Sequence, residues 1–224
     1  MNIEDNLLIG INAVRCAEKV FKERKSDGYL LLSQQGNKGK EWKVDIDILL
    51  EKTLIAEISA KSPLPILSEE SIPEDDLGES YWVVDPLDGS ANCLRGIPIY
   101  AISIALWHKG RLILGVIHDL ARSELYYGSD VCGAWCNDSP IYVSGETRRG
   151  SAILNTGFPS ALDINSTYLT KMAPFYDEFG KVRMIGSAAL SLAYVACGRC
   201  DSYYEEDIAI WDVAAGLALV RAAG

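Results

Sequence analysis

The chain is 224 residues long, 49% hydrophobic and 23% charged, enough for one large globular domain or two small ones that share a core. Its formal charge of −10 opposes any nonspecific grip on nucleic-acid phosphates or anionic lipid, so neither nucleic acid nor a membrane is an expected partner. No apolar run approaches the roughly 20 residues of a membrane span, and the amphipathic opening MNIEDNLLIGINAVRCAEKVFKERK lacks the basic start and cleavage site of a signal peptide, which implies a cytoplasmic location with reduced thiols.

Apolar residues at Ile3, Leu7, Ile11, Val14 and Val20 follow a helical period and predict a first helix ending near Lys25-Ser26-Asp27-Gly28. The polar, glycine-rich stretch SQQGNKGKEWK reads as a loop. Ile46 to Lys61 reads as a second helix, with Asp47 in its first turn, where the helix dipole favours a carboxylate. Short strands follow at 65–67, 81–84, 101–107 and 112–117, the last two joined by His108-Lys109-Gly110 as a hairpin; 124–127 and 134–136 continue an antiparallel sheet. His108 and His118 read as a turn residue and a strand-end residue. Beyond Val143-Ser144-Gly145 strand and helix alternate: strands at 151–156, 182–185 and 201–204, helices at 165–178, 187–197 and 212–223. That change marks a boundary near residue 145, with an α+β part over 1–144 and an α/β part over 145–224. Of the six cysteines, Cys132 and Cys136, and Cys197 and Cys200, are spaced like half a zinc site, but neither pair has a matching Cys or His pair, so all read as ordinary thiols.

The informative residues are acids at the ends of apolar runs: Glu69 and Glu70 after PIL, Asp85 and Asp88 after WVV, and Asp212 after AIW. Each is expected to leave the core at a strand end, where a scaffold presents chemistry. Taken singly, each acid reads more readily as a structural group, capping a helix or facing water. Together they repel one another unless a cation lies among them, and oxygen ligands without His or Cys favour a hard ion such as Mg²⁺. Pro86 stiffens the turn between Asp85 and Asp88. Gly89-Ser90 then opens a helix whose free N–H groups suit a phosphate.

With these residues in view, SEES (68–71), DPLDGSAN (85–92) and IWDVAAG (210–216) resemble the three metal-binding motifs of the inositol monophosphatase family. RGIPIYAISIAL (95–106), NTGFP (155–159) and GSAALSLAYVACGRCDSYYE (186–205) are similar to other stretches of that family, so the resemblance spans nearly the whole chain. It implies a layered α-β-α-β-α sandwich and a magnesium-dependent, lithium-sensitive phosphomonoesterase that acts as a homodimer on a small phosphorylated substrate, with two or three Mg²⁺ ions per site. By the same resemblance Glu69, Asp85 and the Leu87 carbonyl hold the first metal. Asp85 bridges to a second, held also by Asp88 and Asp212, and a third lies close to Glu69, which counts among the catalytic residues too. Asp47 and Ser90 orient the attacking water, Gly89 and Ser90 hold the phosphate through their backbone, Ala188 lines the substrate, and Glu205 binds its hydroxyls. In such two-metal sites the cations, about 3.5–4 Å apart, activate a water and stabilise the leaving oxygen.

Three departures from the family pattern stand out. Ser90 occupies a position usually held by Thr, keeping the hydroxyl but losing the methyl that restricts it. The Lys38-to-Lys43 loop matches no usual metal-loop lysine. The sequence stops at RAAG within the third motif's helix, where family members continue through a further strand and helix; the chain is either naturally short or a piece of a longer one, and without that strand a sheet edge is open. The substrate stays open among inositol monophosphate, fructose 1,6-bisphosphate and a 3′-phosphoadenosine nucleotide. Glu205 favours a polyol or sugar, because a carboxylate accepts hydrogen bonds from vicinal hydroxyls. A non-catalytic, partner-binding member of the fold is the second class.

Overall fold

A computed structural model of the chain describes residues 2–26, 32–34, 42–71, 76–158 and 164–224. The first amphipathic period folds as helix α1 (Ile3–Ser26). Where a polar loop is expected, the described ends form a short antiparallel pair, β1 (Leu32–Gln34) with β2 (Trp42–Val44). The Lys38-to-Lys43 expectation otherwise lies largely outside the described residues, as does the end of the first helix beyond Ser26. Helix α2 (Asp45–Ser59) follows directly and keeps Asp47 in its first turn. Leu7, Ile11, Val14 and Phe21 of α1 bury with Leu50, Leu54 and Ile58 of α2 in one cluster. Each such aliphatic side chain contributes about 1.5–3 kcal/mol on burial.

The cluster is completed by a seven-stranded sheet. Its strands are β3 (Ile66–Ser68), β4 (Ser80–Asp88), β5 (Ala101–His108), β6 (Arg111–Asp119), β7 (Glu124–Ser129), β8 (Gly133–Cys136) and β9 (Ser139–Pro140), paired in that order. A one-turn helix, α3 (Ser90–Leu94), separates β4 from β5. Within this sheet, among the described residues, only β3 and β4 run parallel. The expected hairpin turn forms with Lys109 at φ 48° and Gly110 at φ 78°, the left-handed geometry of a tight two-residue connection. Strand alternation divides the sheet's faces: Trp82, Val84, Ile102, Ile104, Leu114 and Val116 pack toward α1 and α2, while Val83, Ala101, Ala105, Ile117 and Tyr126 pack on the opposite side.

That opposite side is covered from the second half of the chain. Strands β10 (Ile153–Thr156), β11 (Lys181–Met184) and β12 (Ser202–Tyr204) form a parallel sheet in the order β11-β10-β12. Ser151, where the expected strand 151–156 begins, instead ends a 3-10 turn over Arg149–Ser151, and the strand starts at Ile153. Between the strands run α4 (Ser166–Asp177) and α5 (Ala188–Ala196), and α6 (Ile210–Ala223) closes the described chain. Helices α5 and α6 lie between the two sheets, burying Leu190, Ala193, Ala214 and Leu219 against the first. Helix α4 covers the outer face of the second, with the Phe175 and Tyr204 rings 4.8 Å apart. The layers therefore run α-β-α-β-α. Helix α6 sits very near β6: a Cβ on Gly115 would stand 2.2 Å from the Ala215 carbonyl oxygen, so only glycine permits this approach. Among the described residues no helix is long and apolar enough to cross a membrane.

Candidate metal centre

In a regular strand, residues three apart point to opposite faces, which would separate Asp85 from Asp88. The ladder avoids this. Asp85 pairs with Ser103 and Asp88 with Ala101, so β4 carries one residue more than β5 across this interval. Pro86, without an N–H to donate, occupies the resulting bulge. Asp85 continues the row of Val83 toward α6, and the bulge brings Asp88 round to the same side. The first turn of α6 supplies Asp212. One carboxylate oxygen from each of Asp85, Asp88 and Asp212 lies within 4.8 Å of the others.

Asp85 does not leave the core as expected from its place after WVV: it is fully buried within β4. Its Oδ1 accepts the Leu87 N–H at 2.9 Å, and Oδ2 is buried with no hydrogen-bond partner among the described residues. Burial, then the charges of Glu69, Asp88 and Asp212, push its pKa well above the carboxylate range. Burial followed by Asp88 and Glu69 raises Asp212 to about 8. Asp88 rises to about 6, again chiefly through burial, with the Ser187 hydroxyl opposing the shift. A cation reverses this situation, because it turns mutual repulsion into shared attraction. The unpartnered buried oxygen and the all-oxygen donor set both fit a hard divalent ion.

Glu69 follows β3 and stands outside the tight group of three, yet its charge acts on both Asp85 and Asp212. Its N–H bonds the Val84 carbonyl at 3.3 Å, which seats it beside Asp85. The Leu87 carbonyl accepts the Ser90 hydroxyl at 2.7 Å, and the same hydroxyl is 3.2 Å from Oδ2 of buried Asp47. Gly89 makes this turn at φ 81°, and a Cβ there would meet the Ile99 carbonyl oxygen at 2.7 Å. From the opposite wall come Ala188, which opens α5, and Glu205, two residues after Tyr203. Tyr203 donates to Glu205 Oε2 at 2.7 Å, while burial raises the pKa of Glu205. Glu205 also raises Asp88 and Asp212 electrostatically, so it faces the acid group.

Three residues around the centre escaped the sequence reading. Ser187 caps α5 and donates to Asp88 Oδ2, which also accepts the Ala189 N–H at 2.9 Å; a serine before an apolar run is a recognisable cap signal, but its long-range partner is not. The Asn92 amide bonds the Ile99, Ile185 and Gly186 carbonyls at 3.0, 2.9 and 3.1 Å, tying α3 to the turn before α5. Tyr203 lies two residues before Glu205, on the same side of an extended chain, a local relationship that the sequence reading left unused. The histidines stand apart: His108 meets Ser80 at 2.7 Å, and buried His118 lies 3.1 Å from Glu18. A cavity of about 730 Å³ between α1 and β6–β8, lined by Leu7, Ile11, His118 and Tyr127 among others, contains none of the candidate metal-site acids. All six cysteines are free thiols.

With the three motif acids gathered on one side of a proline bulge, the whole chain can be set beside known proteins. The sequence profile described as "Inositol monophosphatase family" matches residues 6–224. The chain belongs to the inositol monophosphatase family. Within the family, it is 38% identical over 177 residues to an inositol-1-monophosphatase of Mesorhizobium japonicum, a match covering 78% of this chain and 66% of that relative. It is 36% identical to a Nus factor SuhB of Pseudomonas aeruginosa, over 97% of this chain and 83% of the relative. Among solved structures, the extragenic suppressor protein suhB of Bartonella henselae superposes with TM-score 0.83 at 36% identity, covering 96% of this chain and 84% of the other. The inositol monophosphatase of Anabaena (Nostoc) sp. gives TM-score 0.83 at 33% identity, covering 100% and 83%. The layered sandwich is thus the inositol monophosphatase fold.

Proposed function

We propose that this chain is a magnesium-dependent phosphomonoesterase that hydrolyses a small phosphorylated polyol or sugar, of the inositol monophosphate kind. The observation that carries the reading is the convergence of Asp85, Asp88 and Asp212 within 4.8 Å around a buried Asp85 oxygen that lacks a donor. Asp85, Asp88, Asp212, Glu69 and the Leu87 carbonyl would hold two or three Mg²⁺ ions. Bound there, magnesium supplies Lewis acidity that lowers the pKa of a water and stabilises a departing alkoxide. The protein's own groups do the positioning. Asp47 Oδ2 and the Ser90 hydroxyl, 3.2 Å apart, form a two-point acceptor for the protons of an attacking water. The Gly89 and Ser90 backbone at the start of α3 meets the phosphate. Glu205 accepts hydrogen bonds from substrate hydroxyls through Oε1, because Oε2 is taken by Tyr203.

The protein's charge of −10 makes the cations necessary for binding as well as chemistry, since an acidic surface admits a phosphate ester only where the local field is reversed. Phosphate release from inositol 1-phosphate, fructose 1,6-bisphosphate and a 3′-phosphoadenosine nucleotide, with magnesium and with EDTA, tests the reading and ranks the substrates. Release should require magnesium and favour the monophosphorylated polyol. Relatives that carry the name Nus factor raise a second reading, in which the chain acts by binding a partner; no release from any ester would favour it. A cytoplasmic homodimer, with residues 1–144 and 145–224 as its two structural parts, completes the proposal.

A further inference from the structure

Ser187 joins the two halves of the centre through a single atom. Its side chain is buried, 4% exposed, at the cap of α5. Its one hydroxyl hydrogen goes to Asp88 Oδ2, and its oxygen accepts the Leu190 N–H at 3.2 Å. Both capacities of the hydroxyl are therefore committed, one to the helix and one to a carboxylate 99 positions earlier in the chain. Asp88 Oδ2 also takes the Ala189 N–H at 2.9 Å, so the carboxylate rests on the first turn of α5, where the helix dipole favours negative charge.

The torsion that rotates a free aspartate carboxylate is broad and poorly determined. Here two donors immobilise Oδ2, which leaves Oδ1 as the oxygen to face Asp85 and Asp212. We infer that Ser187 is a positioning residue for the cation site: by holding Asp88 Oδ2, it makes Asp88 a one-oxygen ligand of fixed direction and sets the affinity of the ion held between Asp88 and Asp212. The inference rests on the reading that the acids hold a divalent cation. Outer hydrogen-bond partners of metal ligands typically change affinity about 10–100-fold when removed. Because α5 lies between the sheets and carries Ser187 at its start, the same contact makes cation affinity depend on how α5 is seated.

Calorimetric titration of the whole chain with Mg²⁺, and with Mn²⁺ as a spin-active substitute, tests this on wild type, Ser187→Gly, Ser187→Thr and Asp85→Asn. Glycine is nearly as good a helix cap as serine but has no hydroxyl, so Ser187→Gly removes the donation while sparing the helix. It should weaken cation binding by about tenfold or more. Ser187→Thr, which retains the hydroxyl, should bind like wild type. In turnover assays Ser187→Gly should raise the half-saturating magnesium concentration far more than it lowers the rate at saturation. Wild-type affinity in Ser187→Gly, or equal weakening in Ser187→Thr, overturns the inference while the cation reading stands. Wild type that binds no ion, or an Asp85→Asn variant that binds as tightly as wild type, overturns the cation reading and the inference with it.

Discussion

Arg199, just past α5, grips Glu124 at the start of β7 with two hydrogen bonds of 2.6 Å, Nη1 to Oε2 and Nη2 to Oε1. The Tyr126 hydroxyl donates to the same carboxylate at 2.6 Å. Helix α5, whose first turn supports Asp88, is thus fastened to the large sheet at its other end. The Arg199 fork, helped by Tyr126, holds the Glu124 carboxyl down at about 2. The folded carboxyl binds its proton less tightly than the unfolded one, so this stability is fully present above about pH 4.5 and vanishes as pH falls toward 2. Arg199 is 45% exposed, and solvent screening limits the contribution to about 1–2 kcal/mol. Glu124→Gln should lower the unfolding free energy from urea titration at pH 7 by that amount and converge with wild type near pH 2–3. A gap that is the same at both pH values would count against the assignment.

The acid group pulls the other way. Asp88 near 6 and Asp212 near 8, both raised from 3.8 mainly by burial, bind protons more tightly folded than unfolded. Stability of the metal-free protein should therefore fall as pH rises from about 4 through 8. Magnesium should raise the melting temperature more at pH 8 than at pH 5.5. Asp85→Asn removes a buried, repelled charge, so it should melt higher than wild type at pH 8 without metal and gain little from magnesium. On the proposed chemistry it also loses at least about a thousandfold in phosphate release. A metal-free melting temperature that does not respond to pH over this range would contradict the electrostatic account.

Much of this was legible in the sequence because it is local. The helical period of α1, the short apolar runs of β4 to β6 and the acids after PIL, WVV and AIW all show within a few residues. What the local pattern hides is direction. Asp85 and Asp88 look like a pair at a strand end, but their shared side depends on how β4 slips against β5 at Pro86, a register that belongs to two strands. Ser187 and Asn92 reach partners that no window of the chain contains, and β1, β2 and β9 are too short to show a period. The family resemblance supplied the roles that geometry alone would have left open, as with Ala188.

Gly115 links fold to site in a way that can be measured. A side chain there collides with the Ala215 carbonyl, so Gly115→Ala must push α6 off β6 or distort the strand. Overpacking of this kind costs about 1–3 kcal/mol. Because Asp212 stands in the first turn of α6, the same variant should also bind magnesium more weakly. A Gly115→Ala protein that loses stability yet titrates magnesium like wild type would mean that the start of α6 moves independently of its middle.

Ser90 and Asp47 offer the sharpest test of the proposed water. The Ser90 hydroxyl touches both the Leu87 carbonyl at 2.7 Å and Asp47 Oδ2 at 3.2 Å, and its single hydrogen serves one at a time. With the hydrogen on Leu87, the Ser90 oxygen is left with lone pairs and acts beside Asp47 as an acceptor. Ser90→Ala should then lower turnover about a hundredfold or more, as removal of a positioned proton acceptor does. Ser90→Thr, which restores the hydroxyl, should retain activity. Asp47→Asn should cost a similar factor. Residues that hold one water act as a unit, so the double variant should lose little more than the worse single one. If the two losses multiply instead, Ser90 and Asp47 act at separate steps and the two-point acceptor is wrong.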